Sequence, residues 1–215
     1  MSYFDVFLMI ILVIILVAKL HGFGSYNVIN IHSFDYHVLD KYKNTEGEAA
    51  KRLSNVYEKI LKFLQHERIK YRVGLTTEEI SKLGPGPNPM IAGHDAKSIV
   101  ENMIYNFNPE KIYENDPNNL TGSTSYTVQK GREMYLCIRN KDGSFVDDNT
   151  LMFVVLHELS HIGAYWTVGH TPDFWTVFAF VLKDAIETGI YSYVDYSKEP
   201  VKYCGMTITT SPYRP

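Results

Sequence analysis

The sequence predicts an α+β domain behind an N-terminal membrane-spanning helix. Three observations predict it: well-capped helices, a hairpin of β-branched and aromatic residues, and a continuous apolar run at the start. With 215 residues, 45% hydrophobic and 21% charged, the chain has the make-up of a folded domain that can bury a core. Its net charge of −3 carries no basic excess. Phosphate binding relies on clustered Lys and Arg, so nucleic acid is not supported as a partner. Lys51, Arg52, Lys59 and Lys62 form a local patch only.

The first segment, VFLMIILVIILVA from Val6 to Ala18, contains no charge. With its margins, residues 4–20 approach the ~20 apolar residues that a spanning helix needs. It has neither a basic leader nor a small-residue cleavage site, which favours an uncleaved anchor over residues 1–21 rather than a signal peptide. A buried core helix is the alternative. Asp5 precedes the run and Lys19 follows it, so a single-pass anchor would leave the rest of the chain in the cytosol, on a host or virion membrane. A glycosylation sequon at Asn119-Leu120-Thr121 would matter only in the opposite orientation.

Residues 22–44 read as a linker that becomes a short extended segment, and residues 45–215 as one domain. Leu53, Val56, Tyr57, Ile60, Phe63 and Leu64 recur at helical spacing, which predicts an amphipathic helix. A short helix follows, capped by Thr76 or Thr77 with Glu79 in its first turn. GPGPNP, residues 84–89, is a loop. SIVENMIYNF suits another helix, and TSYTV and REMYLCIRN suit a hairpin turning at QKG. Asp148 to Thr150 offer caps for a helix running to about Ala164. Thr171-Pro172-Asp173 opens a second helix that ends before Gly189, and an aromatic tail follows.

The helix from Asp148 carries the chemistry. LMFVVLHELSHIGAYWTVGHTPDFW, residues 151–175, sets three histidines and a glutamate in an apolar stretch, where polar groups are costly unless satisfied. His157 and His161 lie four apart and project from one helical face, spaced to share one Zn²⁺. Glu158 angles away from the pair and suits a general base. A catalytic zinc keeps three protein ligands and an open position. His170, at the turn before the next helix, is the preferred third ligand, and Glu187 is its rival. Tyr165, Tyr193 and Tyr196 are candidates to steady an oxyanion. The remaining histidines, His21, His32, His37, His66 and His94, lack partner spacing and read as surface or linker residues. Trp166, Phe174, Trp175, Phe178 and Phe180 read as core. Cys137 and Cys204 are expected as free thiols in a reducing compartment, with pairing as the alternative.

HELSH followed by GHTPDFW resembles the WLM and SprT-like metallopeptidases, the group that includes the Spartan proteases, and looks closest to WLM-like proteins of large DNA viruses. The resemblance covers roughly Ser123 to Ala185, and its downstream Gly-His-x-Pro-x-Phe-Trp element is the more specific part. It implies a zincin-like fold with the active-site helix packed on a small sheet. It also implies one zinc per chain on His157, His161 and His170, with Glu158 as catalytic base. Relatives in that group cut proteins crosslinked to DNA; this chain shows no zinc finger and no basic segment to match that substrate. The Metzincin pattern is excluded, because the spacing to His170 is longer and Ala164 stands where that pattern has glycine. The expectation is therefore a membrane-anchored zinc endopeptidase acting on a protein or peptide. The alternatives are an inactive relative with a binding or structural role, or hydrolysis of a non-peptide amide. Residues 84–94 are a candidate gate.

Overall fold

The computed structural model describes residues 5–7, 9, 25–119 and 122–215. β1 (Tyr26–Ile31) and β2 (Phe34–Leu39) pair antiparallel across His32 and Ser33, both left-handed at φ 51° and 71°. Two positive-φ residues make the tight turn whose twist matches its strands. Residues 26–39 are thus a two-stranded hairpin, where the sequence suggested a linker becoming a short extended segment. Tyr36 and Val38 alternate inward and are buried. Only the half-buried aspect of β1 kept this period from standing out.

α1 (Glu46–Lys70) lays its stripe, including Leu53, Ile60 and Phe63, into the core. α2 (Thr77–Leu83) starts in a capping box between Thr76 and Glu79. β3 (Met90–Ile91) and β4 (His94–Asp95) form a small hairpin, and Asp95 caps α3 (Ala96–Asn106) through the Ser98 amide. β5 (Ile112–Glu114), β6 (Tyr126–Val128) and β7 (Glu133–Leu136) complete the main sheet. α4 (Asp148–Gly163) and α5 (Pro172–Glu187) follow, and β8 (Val201–Tyr203) with β9 (Met206–Ile208) form a separate C-terminal hairpin.

The main sheet runs β1-β2-β5-β7-β6 and is mixed: β2, β5 and β7 are parallel, while β1 and β6 run antiparallel at the edges. The architecture is mixed α and β. Beneath it, Arg139 and Glu114 form a fully buried ion pair at 2.6 Å. Glu114 also accepts from the Leu39 amide, and Arg139 lies over the rings of Tyr42 and Phe145. Every charge-bearing group of the pair is thereby engaged, as burial demands.

α4 packs between α3 and α5 and against β6. Leu151 through Leu156 are all buried. At Gly163, the last residue of the helix, a Cβ would meet Ile99 at 3.0 Å and Met103 at 3.2 Å. The missing side chain lets α3 close on the end that bears the motif.

Two expectations are corrected. The first is the membrane-spanning helix over residues 4–20. Among the described residues no helix is long and apolar enough to cross a membrane. The most apolar ones, α4 and α5, have 16 residues each, ~24 Å against the ~30 Å hydrocarbon layer, and are core helices. α1 has 25 residues but is apolar on one side only. Apart from residues 5–7 and 9, the proposed anchor lies outside the described residues. The single-pass membrane localisation and cytosolic placement rested on that anchor and fall with it.

The second correction concerns the cysteines. Cys137 and Cys204 are not free thiols but a disulfide with Cα atoms 6.1 Å apart. It ties the C-terminal hairpin to the residue after β7. A separation of 67 positions hid this proximity.

Candidate metal centre

Local folding brings the histidines together. Asp147 accepts from the amides of Asn149 and Thr150 and starts α4, so that His157 and His161 fall one turn apart on its open face. The helix ends at Gly163, and Gly169 (φ 72°) turns the chain before Thr171 caps α5. That bend returns His170 over the pair. Its Nε2 lies 2.9 Å from Nε2 of His157 and 3.2 Å from Nε2 of His161. All three ligand atoms lie within 4.8 Å of one another. Three nitrogens bound to one tetrahedral zinc at ~2.0–2.1 Å would stand ~3.3 Å apart. The two separations from His170 approach that spacing, and the His157–His161 pair lies within 4.8 Å, so the three donors suit a small divalent cation once His157 and His161 draw together.

The electrostatics fit too. Burial, then the neighbouring His161 and His170, holds the His157 imidazole down at about 3. Burial, with His170 and Lys130 adding to it, holds His161 at about 4, and burial lowers His170 as well. A neutral imidazole can offer a lone pair at Nε2, which is the form a cation requires. Phe174 stacks on His161 at 4.1 Å, and Trp175 stacks on His170 at 5.4 Å. Phe174, Phe178 and Phe180 are buried, as core residues should be. Trp175 is 41% exposed at the rim. Trp166 is half-buried and stacks on His94 instead.

Glu158 is 4% exposed, accepts from the Thr127 amide of β6 and lines both clefts together with His157 and His170. Burial pushes its carboxyl up to about 8, while the Thr127 amide, donating to it, pulls the other way. A cation nearby would favour the carboxylate further. Glu187 is not a ligand: it pairs with Lys70 at 2.8 Å and Lys183 at 3.2 Å, at the far end of α5.

The strand beside the site is fixed by a residue the sequence did not single out. Lys130 occupies the β6–β7 turn with φ 56°. Its ammonium donates to the carbonyl oxygens of His161 and Ala164, each at 3.2 Å, and to that of Thr167. These carbonyls lie at the end of α4 and just beyond, where the helix no longer supplies amide donors of its own; that of Ala164 also accepts from Thr167. The adjoining Gly131 (φ 108°) approaches Asn106 so closely that a Cβ would lie 2.7 Å from its carbonyl oxygen. The QKG tripeptide was legible as a turn, but not as the tie between strand and helix.

Two clefts flank the histidines. One, of about 440 Å³, runs beside β6 past Tyr126, Thr127 and Lys130. The other, of about 400 Å³, lies toward Phe153, Phe178 and the C-terminal hairpin. His157, Glu158, His170 and Ser125 line both. None of the tyrosines suggested for an oxyanion lines either cleft. Tyr165 is exposed, Tyr193 packs on Tyr213, and Tyr196 is buried against Phe153. Tyr203 is the tyrosine at the second cleft, its hydroxyl 2.6 Å from that of Ser125. No residue of 84–94 lines either cleft.

Fold and site together define a mixed α/β protein with a three-histidine cluster on a helix and the bend that follows it. The chain is 36% identical over 125 residues to Uncharacterized protein 042R of Invertebrate iridescent virus 3, covering 57% of this chain and 69% of that protein. It belongs to the same family as that protein. It is 39% identical over 113 residues to Uncharacterized protein R325 of Acanthamoeba polyphaga mimivirus, covering 52% of this chain. It is also 38% identical over 87 residues to Uncharacterized protein 136R of Invertebrate iridescent virus 6. The matches span 56% and 46% of these two proteins, about half of each. All three relatives are viral, which supports a viral protein. No protein-family model matches the chain, and no solved structure does.

Proposed function

We propose that this chain is a zinc-dependent endopeptidase of the WLM and SprT-like kind, with His157, His161 and His170 as the metal ligands. The observation that carries the reading is the convergence of three Nε2 atoms beside a buried glutamate, in a cleft bordered by a strand edge. Bound there, zinc would polarise a substrate carbonyl and make water a nucleophile near neutral pH. Glu158 takes the proton from the attacking water and passes it to the leaving nitrogen. The Thr127 amide holds the carboxylate in place for both transfers. Among the described residues β6 pairs only with β7. Its outer edge, whose Thr127 amide holds Glu158, borders the first cleft, where an extended peptide would lie beside the metal, which favours a protein or peptide substrate.

The test uses purified full-length chain, its bound zinc measured, and a panel of unfolded protein substrates. Wild type is expected to bind one zinc and to cleave. Glu158→Gln is expected to keep the zinc and lose at least ~100-fold in turnover, the usual contribution of a positioned base. Undiminished cleavage by Glu158→Gln would contradict the assigned base. Bound zinc without cleavage of any substrate would favour a binding role instead.

A further inference from the structure

The two clefts differ in chemistry. The one beside β6 is lined by Tyr126, Thr127, Gln129 and Lys130 along with the histidines. The second is walled by Phe153, Val154 and Phe178 from α4 and α5, and by Ile208 from β9. These four are at most 9% exposed. No Lys or Arg lines this cleft, and Glu158 is its one acid. Thr124, Ser125, Thr207, Thr209 and Thr210 add hydroxyls but no charge to its lining, so a charged side chain entering it would lose hydration, whereas an apolar one would gain against the four apolar residues.

The outer wall is a dedicated part. The β8–β9 hairpin belongs to no other sheet. It is held over the cleft by the Cys137–Cys204 disulfide, and by Tyr203, which is 1% exposed and meets Ser125. Ser125 in turn accepts from the Cys137 amide at 2.9 Å, so disulfide, hairpin and cleft floor form one unit. The second cleft is continuous with the first through Ser125, His157, Glu158 and His170. A peptide lying along β6 would therefore set the side chain next to its scissile bond at the mouth of this apolar cavity.

We propose that the second cleft binds a large apolar side chain (Leu, Met or Phe) adjacent to the scissile bond, with Phe178 and Ile208 as specificity-determining residues. The proposal rests on the zinc-peptidase reading and names its substrate class. Binding without turnover tests it. Zinc-loaded Glu158→Gln is titrated by calorimetry with acylated amino-acid hydroxamates that differ only in side chain: glycine, alanine, leucine and phenylalanine. The leucine and phenylalanine probes are expected to bind at least ~100-fold more tightly than the glycine probe, as pockets of this kind discriminate. Adding Ile208→Trp, which fills the cleft, is expected to erase at least ~10-fold of the leucine advantage and to leave the glycine probe unchanged. Met206 is 49% exposed on the same wall, so Met206→Asp supplies a second variant that leaves the core alone. It is expected to weaken the leucine probe selectively. A flat affinity ladder on zinc-loaded protein would overturn the apolar pocket and leave the metal reading standing. Failure of the chain to bind zinc would overturn both.

Discussion

Glu67 on α1 has no exposed surface, and its carboxyl lies against Asp184 of α5. Around the pair, Lys70 bonds Asp184 and Glu187 at 2.8 Å each, the Tyr71 hydroxyl donates to Asp184, and His66 contacts Glu67 at 2.9 Å. Burial first, then the Asp184 charge and a hydrogen bond to it, raises Glu67 from 4.5 to about 9. A raised carboxyl binds its proton more tightly folded than unfolded. Its contribution is full below about pH 4.5 and is lost as pH climbs through about 9. Glu67→Gln keeps a donor toward Asp184 without an ionisable proton. Its melting temperature should fall less than that of wild type between pH 5 and pH 9, and parallel curves would refute the shared proton. At the site, His157, Glu158 and His161 were legible because helical spacing alone fixes their geometry. His170 was legible because Gly169 and Thr171 announce a bend followed by a helix. Tyr203 was not, since nothing local in YCGM says which distant surface it will meet.

Among the elements, the helices were read well where a capping side chain marks their start, at Thr76 and Thr171; the motif helix is capped by Asp147, one residue before the Asp148 to Thr150 expected. The β1–β2 hairpin was not, because a strand half exposed on both faces carries little period. The sequence could not pair the cysteines either, since pairing depends on where a hairpin docks. That hairpin gives the element-scale prediction. A cross-link between residues 67 positions apart restricts the unfolded chain by ~4 kcal/mol in the loop-entropy account. Cys204→Ser should lower the urea-unfolding free energy by ~2–4 kcal/mol relative to the oxidised wild type. Equal unfolding curves would mean that the hairpin is held without it.

Over the whole molecule, the sheet order explains why the site lies where it does. The parallel strands β2, β5 and β7 form the interior of the sheet, and β6 is added at the edge, against α4. Lys130 fastens that edge to the end of the same helix. The cleft is thus a seam between strand and helix, with α3 and α5 bracing the helix from either side. The length of the continuous apolar run over residues 4–20, with no basic leader or cleavage site, favoured a membrane anchor. Among the described residues no helix is long and apolar enough to support it. The central claim is that three imidazoles from one helix and its following bend hold one cation. The zinc-edge X-ray absorption spectrum of the zinc-loaded chain tests it most directly. Three imidazole nitrogens and one further light atom at ~2.0–2.1 Å are the expected shell. Sulfur at ~2.3 Å, or fewer than three imidazoles around the metal, would contradict it.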